Sequence, residues 1–230
     1  MSCLDGRRAL VTGAAGHIGQ TASETLIESG ANVALVDLDA EACRLRAEEL
    51  SSQRKDSAFA LACDLKDETA TREAVRQAIS RMGGLDIIVH CAAYVGTTQV
   101  SGWAVPFQEQ TVEAWDSAMR VNLTSAFVMV QEAQAALAVT EHGSVIFFAS
   151  TYGLVGPDMH IYEDTGMANA AGYGASKGGL LQLMRYLSTV LAPKVRVNAI
   201  TPGGVSRGQP ELFQERYEAK TPLGRMAVEE

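Results

Sequence analysis

The chain has 230 residues, 47% hydrophobic and 20% charged, which is enough to bury one sizeable core and too few for two full domains. Its net charge of −8, sequence pI near 5.1 and scattered lysines and arginines argue against a nucleic-acid binder, which would present a basic face. The opening "MSCLDGRRALVTG" carries no signal-peptide apolar region, no apolar run approaches the ~20 residues that span a bilayer, and Cys3, Cys43, Cys63 and Cys91 show neither disulfide-framework nor metal-ligand spacing. The expectation is a cytoplasmic protein with reduced thiols and no metal, membrane or nucleic-acid partner.

Short apolar and β-branched runs alternate with longer stretches of helical period. "RALVTG" reads as a first strand and is followed by a helix from about His17 to Ser29. "NVALVD" is a second strand, "AEACRLRAEELSSQ" a charged helix, "SAFALACD" a third strand, about Asp67 to Met82 another helix, and "LDIIVHCA" a fourth strand. After an irregular stretch from Ala92 to Gln110, Thr111 is placed to cap a long helix reaching about Val139. "GSVIFFAS" gives a fifth strand, a helix begins near Gly172, and "KVRVNAI" gives a sixth strand. The strands are apolar almost throughout instead of alternating, as expected when helices cover both faces of a parallel sheet. No repeat, linker or low-complexity tract divides the chain. The fold class is α/β: a Rossmann-like doubly wound parallel sheet in three α/β/α layers, one domain over residues 1–230.

In such a sheet ligands sit at the carboxyl ends of the strands. "TGAAGHIG" follows the first strand, with Gly13, Gly16 and Gly19 letting a backbone come close and opening a helix whose N-terminal amides, from His17 and Ile18 onward, can face a pyrophosphate. Asp37 ends the second strand, where a carboxylate accepts ribose hydroxyls and repels an added phosphate, so NAD is expected over NADP. Asp39 is placed to cap the next helix, a role open to Asp37 as well. Asp64, ending the third strand, is a candidate for the adenine amino group.

Chemistry enters at "GYGASKGG". Tyr173 and Lys177 are four apart and share a helix face. An ammonium ~4 Å from a phenol is worth ~4 kcal/mol at an effective dielectric of about 20, enough to draw the phenol toward ionisation near neutrality and suit it to acid–base work. An exposed structural pair is the plain alternative. Ser150 ends the fifth strand, where its hydroxyl can polarise a substrate oxygen. Asn122 sits inside the long helix, where an amide is locally unfavourable and another use is plausible. "TPGG", Thr201 to Gly204, turns at the same sheet edge.

Through "TGAAGHIG", Asp37, "ACDL", "VNLTS", "FFAS", "YGASK" and "RVNAITPGG" the chain resembles the short-chain dehydrogenase/reductase family over essentially its whole length. The resemblance implies a catalytic set of Asn122, Ser150, Tyr173 and Lys177: Tyr173 moves the proton, Ser150 positions the reacting oxygen, Lys177 binds nicotinamide ribose, and Asn122 holds a water linking Lys177 to solvent. It implies cofactor contacts from Gly13, Gly16, His17, Ile18, Gly19, Asp37, Leu38, Asp64, Leu65, Cys91, Ala92, Tyr173, Lys177, Pro202 and Gly203, and a homodimer or homotetramer. His17 stands where the family's middle glycine is more common, and "HCAA", His90 to Ala93, replaces the usual Asn-Asn-Ala-Gly. Family members continue past "PLGRMAVEE" through a helix and a seventh strand, so the C-terminal strand is expected to be missing.

Ser150 and Tyr173 are 23 residues apart, a longer spacer than the family commonly has, with "GPDMHIYEDTGM" at its centre. A substrate loop over about 151–171 and a small lid over about 203–222, with a helix from Gln209 onward, are expected, although a plain surface loop is the alternative. These two segments resemble a subgroup linked to flagellin modification and surface-glycan sugar synthesis. That resemblance implies a sugar, sugar phosphate or nucleotide sugar as substrate, contacted by Tyr152, His160, Tyr162 and Arg207. The competing readings are a simpler alcohol or 3-oxoacyl reductase and a non-catalytic dinucleotide-binding regulatory protein.

Overall fold

The computed structural model describes residues 3–139 and 141–229. Six parallel strands, β1 (Arg8–Thr12), β2 (Asn32–Asp37), β3 (Ala58–Ala62), β4 (Ile87–His90), β5 (Gly143–Phe148) and β6 (Val195–Ile200), lie in the order β3-β2-β1-β4-β5-β6. Parallel neighbours require long crossovers, and these are supplied by α1 (His17–Glu28), α2 (Ala40–Gln53), α3 (Glu68–Met82), α4 (Val112–Met119), α5 (Ser125–Val139) and α6 (Ala171–Val190), with α7 (Glu211–Lys220) after the last strand.

Side-chain alternation sends successive residues of each strand into different helical layers. Ala9, Val11, Val33, Leu35, Ile87 and Val89 pack with Ile27 of α1 and Cys43, Ala47 and Leu50 of α2. Leu10, Ala34, Val36, Ile88, Val145 and Phe147 pack on the other face with α3, α5 and α6. Both sheet faces are therefore dry, which is why these strands read as unbroken apolar runs. The order reverses between β1 and β4, and their carboxyl ends open the crevice where ligands bind in such sheets.

Two caps follow the sequence closely. The Asp39 side chain accepts from the Ala42 amide at the start of α2, and Thr111 accepts from Ala114 at the start of α4. The single long helix expected from Thr111 to Val139 is instead divided: a π-helical turn, Arg120–Thr124, separates α4 from α5. The Asn122 amide leaves the helix to bind the main chain of Tyr94 on both sides, accepting at 2.7 Å and donating at 3.4 Å. The Ser125 hydroxyl donates to the Val121 carbonyl at 2.6 Å. A helix widened to i→i+5 bonding frequently marks a functional position.

Candidate active site

A cleft of about 840 Å³ runs along the carboxyl ends of the strands. At one end lies the turn after β1. Gly13 has φ +64°, and a Cβ there would come within 2.8 Å of the Ala92 main chain; a Cβ at Gly19 would come within 2.0 Å of the Gly13 carbonyl. Only glycine lets the turn pass so close to β4 and lets α1 begin directly beneath it. Gly16 caps α1 with no side-chain hydrogen bond and no acid of the helix lies in its first turn, so the helix itself leaves these amides to an anion, although the Glu229 carboxylate approaches His17 Nδ1 at 3.4 Å. Asp37 reaches over this turn, accepting from the Ala15 amide at 2.9 Å and the Asp39 amide at 3.1 Å. A carboxylate has about four acceptor sites, so capacity remains.

The reacting half is built by close packing of α6 on the turn after β5. A Cβ on Gly153 would sit 2.8 Å from the Lys177 carbonyl group, so the 3-10 turn Thr151–Gly153 can lie directly on α6 only because Gly153 has no side chain. That contact brings Ser150 beside Tyr173, whose phenol its hydroxyl favours toward ionisation. Ser150 also accepts from the Tyr152 amide at 3.2 Å. Lys177 is buried; its Nζ donates to the Phe148 carbonyl at 2.7 Å and lies 5.8 Å from the centre of the Tyr173 ring. Burial draws its pKa down to about 8.

The expected depression of the tyrosine is overturned here. Burial is the largest influence on Tyr173 and raises its pKa above the ordinary phenol value, against smaller lowering effects from Ser150 and Arg207. The loss of water on burial outweighs what an ammonium would contribute, and Lys177 directs its Nζ to the Phe148 carbonyl.

The far wall is formed by residues 151–169 and α7. Tyr162 packs on Phe213 with centroids 5.3 Å apart, and Phe213 on Tyr217 at 5.9 Å. The Tyr152 and Tyr162 hydroxyls are 2.9 Å apart, and Asn169 Nδ2 donates to Tyr162 at 3.1 Å. Outside the cleft, Arg216 Nη1 donates to the carbonyls of His160 and Glu163, and Lys220 pairs with Asp158, fastening the inserted loop to α7.

The family model described as short chain dehydrogenase matches residues 7–217. The chain belongs to the short-chain dehydrogenase family. Among its relatives, D-threitol dehydrogenase of Mycolicibacterium smegmatis is 31% identical, with 86% of this chain and 70% of that protein covered. The 3-oxoacyl-[acyl-carrier-protein] reductase FabG of Aquifex aeolicus is 27% identical over 99% of this chain and 87% of its own. A dehydrogenase/reductase structure from Sinorhizobium meliloti 1021 superposes with a TM-score of 0.82 at 27% identity, covering 98% of this chain and 84% of that one.

In this chain every residue expected to hold the cofactor lines the cleft: Gly13, Gly16, His17, Ile18, Gly19, Asp37, Leu38, Asp64, Leu65, Cys91, Ala92, Tyr173, Lys177, Pro202 and Gly203. The glycine cradle and the uncapped first turn of α1 fit a dinucleotide. Ser150, Tyr152, Tyr162 and Arg207 line it as well. Asn122 does not: it is fully buried behind the cleft, its Nδ2 donating to Ser176 Oγ at 2.9 Å. His160 lies elsewhere too. Its side chain is 80% exposed and pairs with Glu163 at 2.9 Å on the outer side of the loop, because Ile161 and Tyr162 take the inward positions.

Sequence reasoning did not single out Asn169, Trp103, Phe213, Tyr217 or Met226 as cleft residues. Trp103, buried, donates from Nε1 to the Val95 carbonyl at 2.8 Å and packs on Gly172 at the start of α6. Gly172 beside Tyr173 was the only local signal of that contact. Among the described residues no group of acids, histidines and cysteines is arranged to hold a metal, and no helix is long and apolar enough to cross a membrane.

Proposed function

We propose that this dehydrogenase is an NAD-dependent oxidoreductase acting on a hydroxyl or ketone of a sugar-type substrate. The observation that carries the reading is the convergence of Ser150, Tyr173 and Lys177 in one cleft with a glycine turn and Asp37. Gly13, Gly16, His17, Ile18 and Gly19 would hold the pyrophosphate of the cofactor. Asp37 and Leu38 would hold its adenosine ribose and Asp64 and Leu65 the adenine, while Cys91, Ala92, Pro202 and Gly203 would flank the remainder. Bound nicotinamide supplies or accepts the hydride. The chain supplies orientation and the proton. Tyr173, whose pKa burial raises further above the ordinary phenol value, carries its proton ready to donate to a ketone oxygen. In the direction of alcohol oxidation it must ionise, and the Ser150 hydroxyl and the Arg207 charge favour that state. Asn122 acts from behind, fixing the π-turn against the main chain of Tyr94.

The preference for NAD rests on the Asp37 carboxylate, and the sugar-type substrate on the tyrosine and asparagine hydrogen-bonding groups of the far wall, with the threitol dehydrogenase relative in support. A role in surface-glycan or flagellin-glycan synthesis rests on the resemblance of residues 151–171 and 201–226 alone. Assembly as a homodimer or homotetramer is consistent with exposed Trp115 and Phe127 on α4 and α5. The FabG relative supports a second reading, reduction of a 3-oxoacyl group. Tyr173→Phe is expected to bind NADH as the parent does and to lower kcat by about 10²–10⁴. Undiminished turnover in that variant removes the proposed mechanism.

A further inference from the structure

The far wall of the cleft is rich in hydroxyl groups and poor in available positive charge. Asn169 Nδ2 donates to the Tyr162 oxygen, and a single hydrogen bond of 2.9 Å joins Tyr162 to Tyr152. Two phenols carry two hydrogens, and the bond between them uses one. Whichever phenol donates, the other hydrogen is directed at no acceptor among the described residues. The Tyr217 hydroxyl accepts from the Gly204 amide and keeps its own hydrogen to donate. Such groups both give and take hydrogen bonds, and so do the hydroxyls of a polyol.

The cations around this wall are engaged with the protein. Arg207, which lines the cleft here, pairs through Nε with Glu229 Oε1 at 2.9 Å, an oxygen that also lies 3.4 Å from His17 Nδ1 at the edge of the glycine turn. Arg216 and Lys220 of α7 face the inserted loop, on main-chain carbonyls and on Asp158. A phosphate ester carries close to two negative charges and would enter a half-buried pocket with its natural counter-charge already neutralised by a carboxylate.

Resting on the sugar-type reading above, we infer that the substrate is uncharged: a neutral polyol or unphosphorylated sugar, recognised by the Tyr152, Tyr162, Asn169 and Tyr217 groups, and not a sugar phosphate or nucleotide-activated sugar. Glu229 enforces the selection by neutralising Arg207.

Matched pairs test this. With D-sorbitol and its 6-phosphate, and with D-threitol and its 4-phosphate, kcat/KM for the neutral member is expected to exceed that of the ester by at least ~100-fold. Calorimetric titration of each compound onto the protein with NADH should rank them alike. Tyr162→Phe, which keeps the ring on Phe213, should raise KM for the neutral polyol about tenfold while the dissociation constant for NADH stays within about twofold. Glu229→Gln should narrow the polyol-to-ester ratio about tenfold, and because the ratio is taken within one variant, effects on the cofactor cancel. Esters equal to or better than the polyols, or a ratio unmoved by Glu229→Gln, overturn the inference and leave the sugar-type reading standing. A protein that turns over and binds neither member of any pair, yet reduces a 3-oxoacyl thioester, overturns the sugar-type reading itself.

Discussion

His90 shows how one side chain acquires its chemistry from the whole fold. Thr12 Oγ1 accepts from the Ala92 amide at 3.3 Å and shares a hydrogen bond of 2.8 Å with His90 Nδ1. The ring is enclosed beside the main chain of Val121 and Asn122, which weakly favours its protonated form, and lies edge-on to Phe147. Burial, and secondarily the Lys177 charge, push its pKa down to about 3 from an unfolded value of 6.5. Between those values the unfolded chain binds a proton that the folded chain refuses, so stability falls as pH drops below 6.5 and levels off only below the folded pKa. At about 1.4 kcal/mol per pH unit, urea unfolding at pH 5 should show about 2 kcal/mol less stability from this residue than at pH 7. His90→Gln should lack that share; equal losses in both proteins would show that His90 is not held neutral. The sequence showed His90 only as a departure from the family pattern, because its neighbours come from β1, the π-turn and β5. The Tyr173–Lys177 pair, by contrast, was legible from a spacing of four. Its ionisation was not, since desolvation sums over every element that covers the helix.

Among the elements, strands and crossover helices were readable because each repeats a local period. The π-turn was not, since it depends on the Asn122 side-chain oxygen accepting from the Tyr94 amide, 28 positions away. The inserted loop was visible as a break in periodicity, but not its attachment: Ile161 and Tyr162 of the loop share a hydrophobic cluster with Phe213 of α7 and with Met226 beyond it, and the loop is tied outside by Arg216 and Lys220. If this pair of elements shapes the substrate half of the cleft and leaves the dinucleotide half alone, loosening it should separate the two kinetically. Arg216→Met removes the bonds to two loop carbonyls without touching the cleft lining. It is expected to raise KM for substrate several-fold, with the dissociation constant for NADH within about twofold of the parent. A parallel loss of both affinities would show instead that the loop supports the whole cleft.

At the scale of the whole molecule, the dinucleotide half is made of two strand ends brought together by the sheet order. Asp37 leaves β2, and its carboxylate reaches the Ala15 amide of the turn after β1. The β1–β2 register fixes this contact, pairing Thr12 with Val36. A ligand bound there stabilises both strands and the turn, so the cofactor should be visible in unfolding of the entire domain. At a concentration of 100 times its dissociation constant, NADH should add about 2.7 kcal/mol. For a domain of this size that is roughly 5–11 °C in Tm. NADPH at the same concentration is expected to give a smaller shift, because its added phosphate would meet the Asp37 carboxylate. Asp37→Asn is the informative variant: it keeps an oxygen for the Ala15 amide while removing the charge, so the turn is preserved and only the repulsion goes. The NADH shift should then fall and the NADPH shift rise until the two approach each other. Unchanged shifts in Asp37→Asn, or a larger shift with NADPH in the parent, would locate cofactor choice at another residue of the cleft.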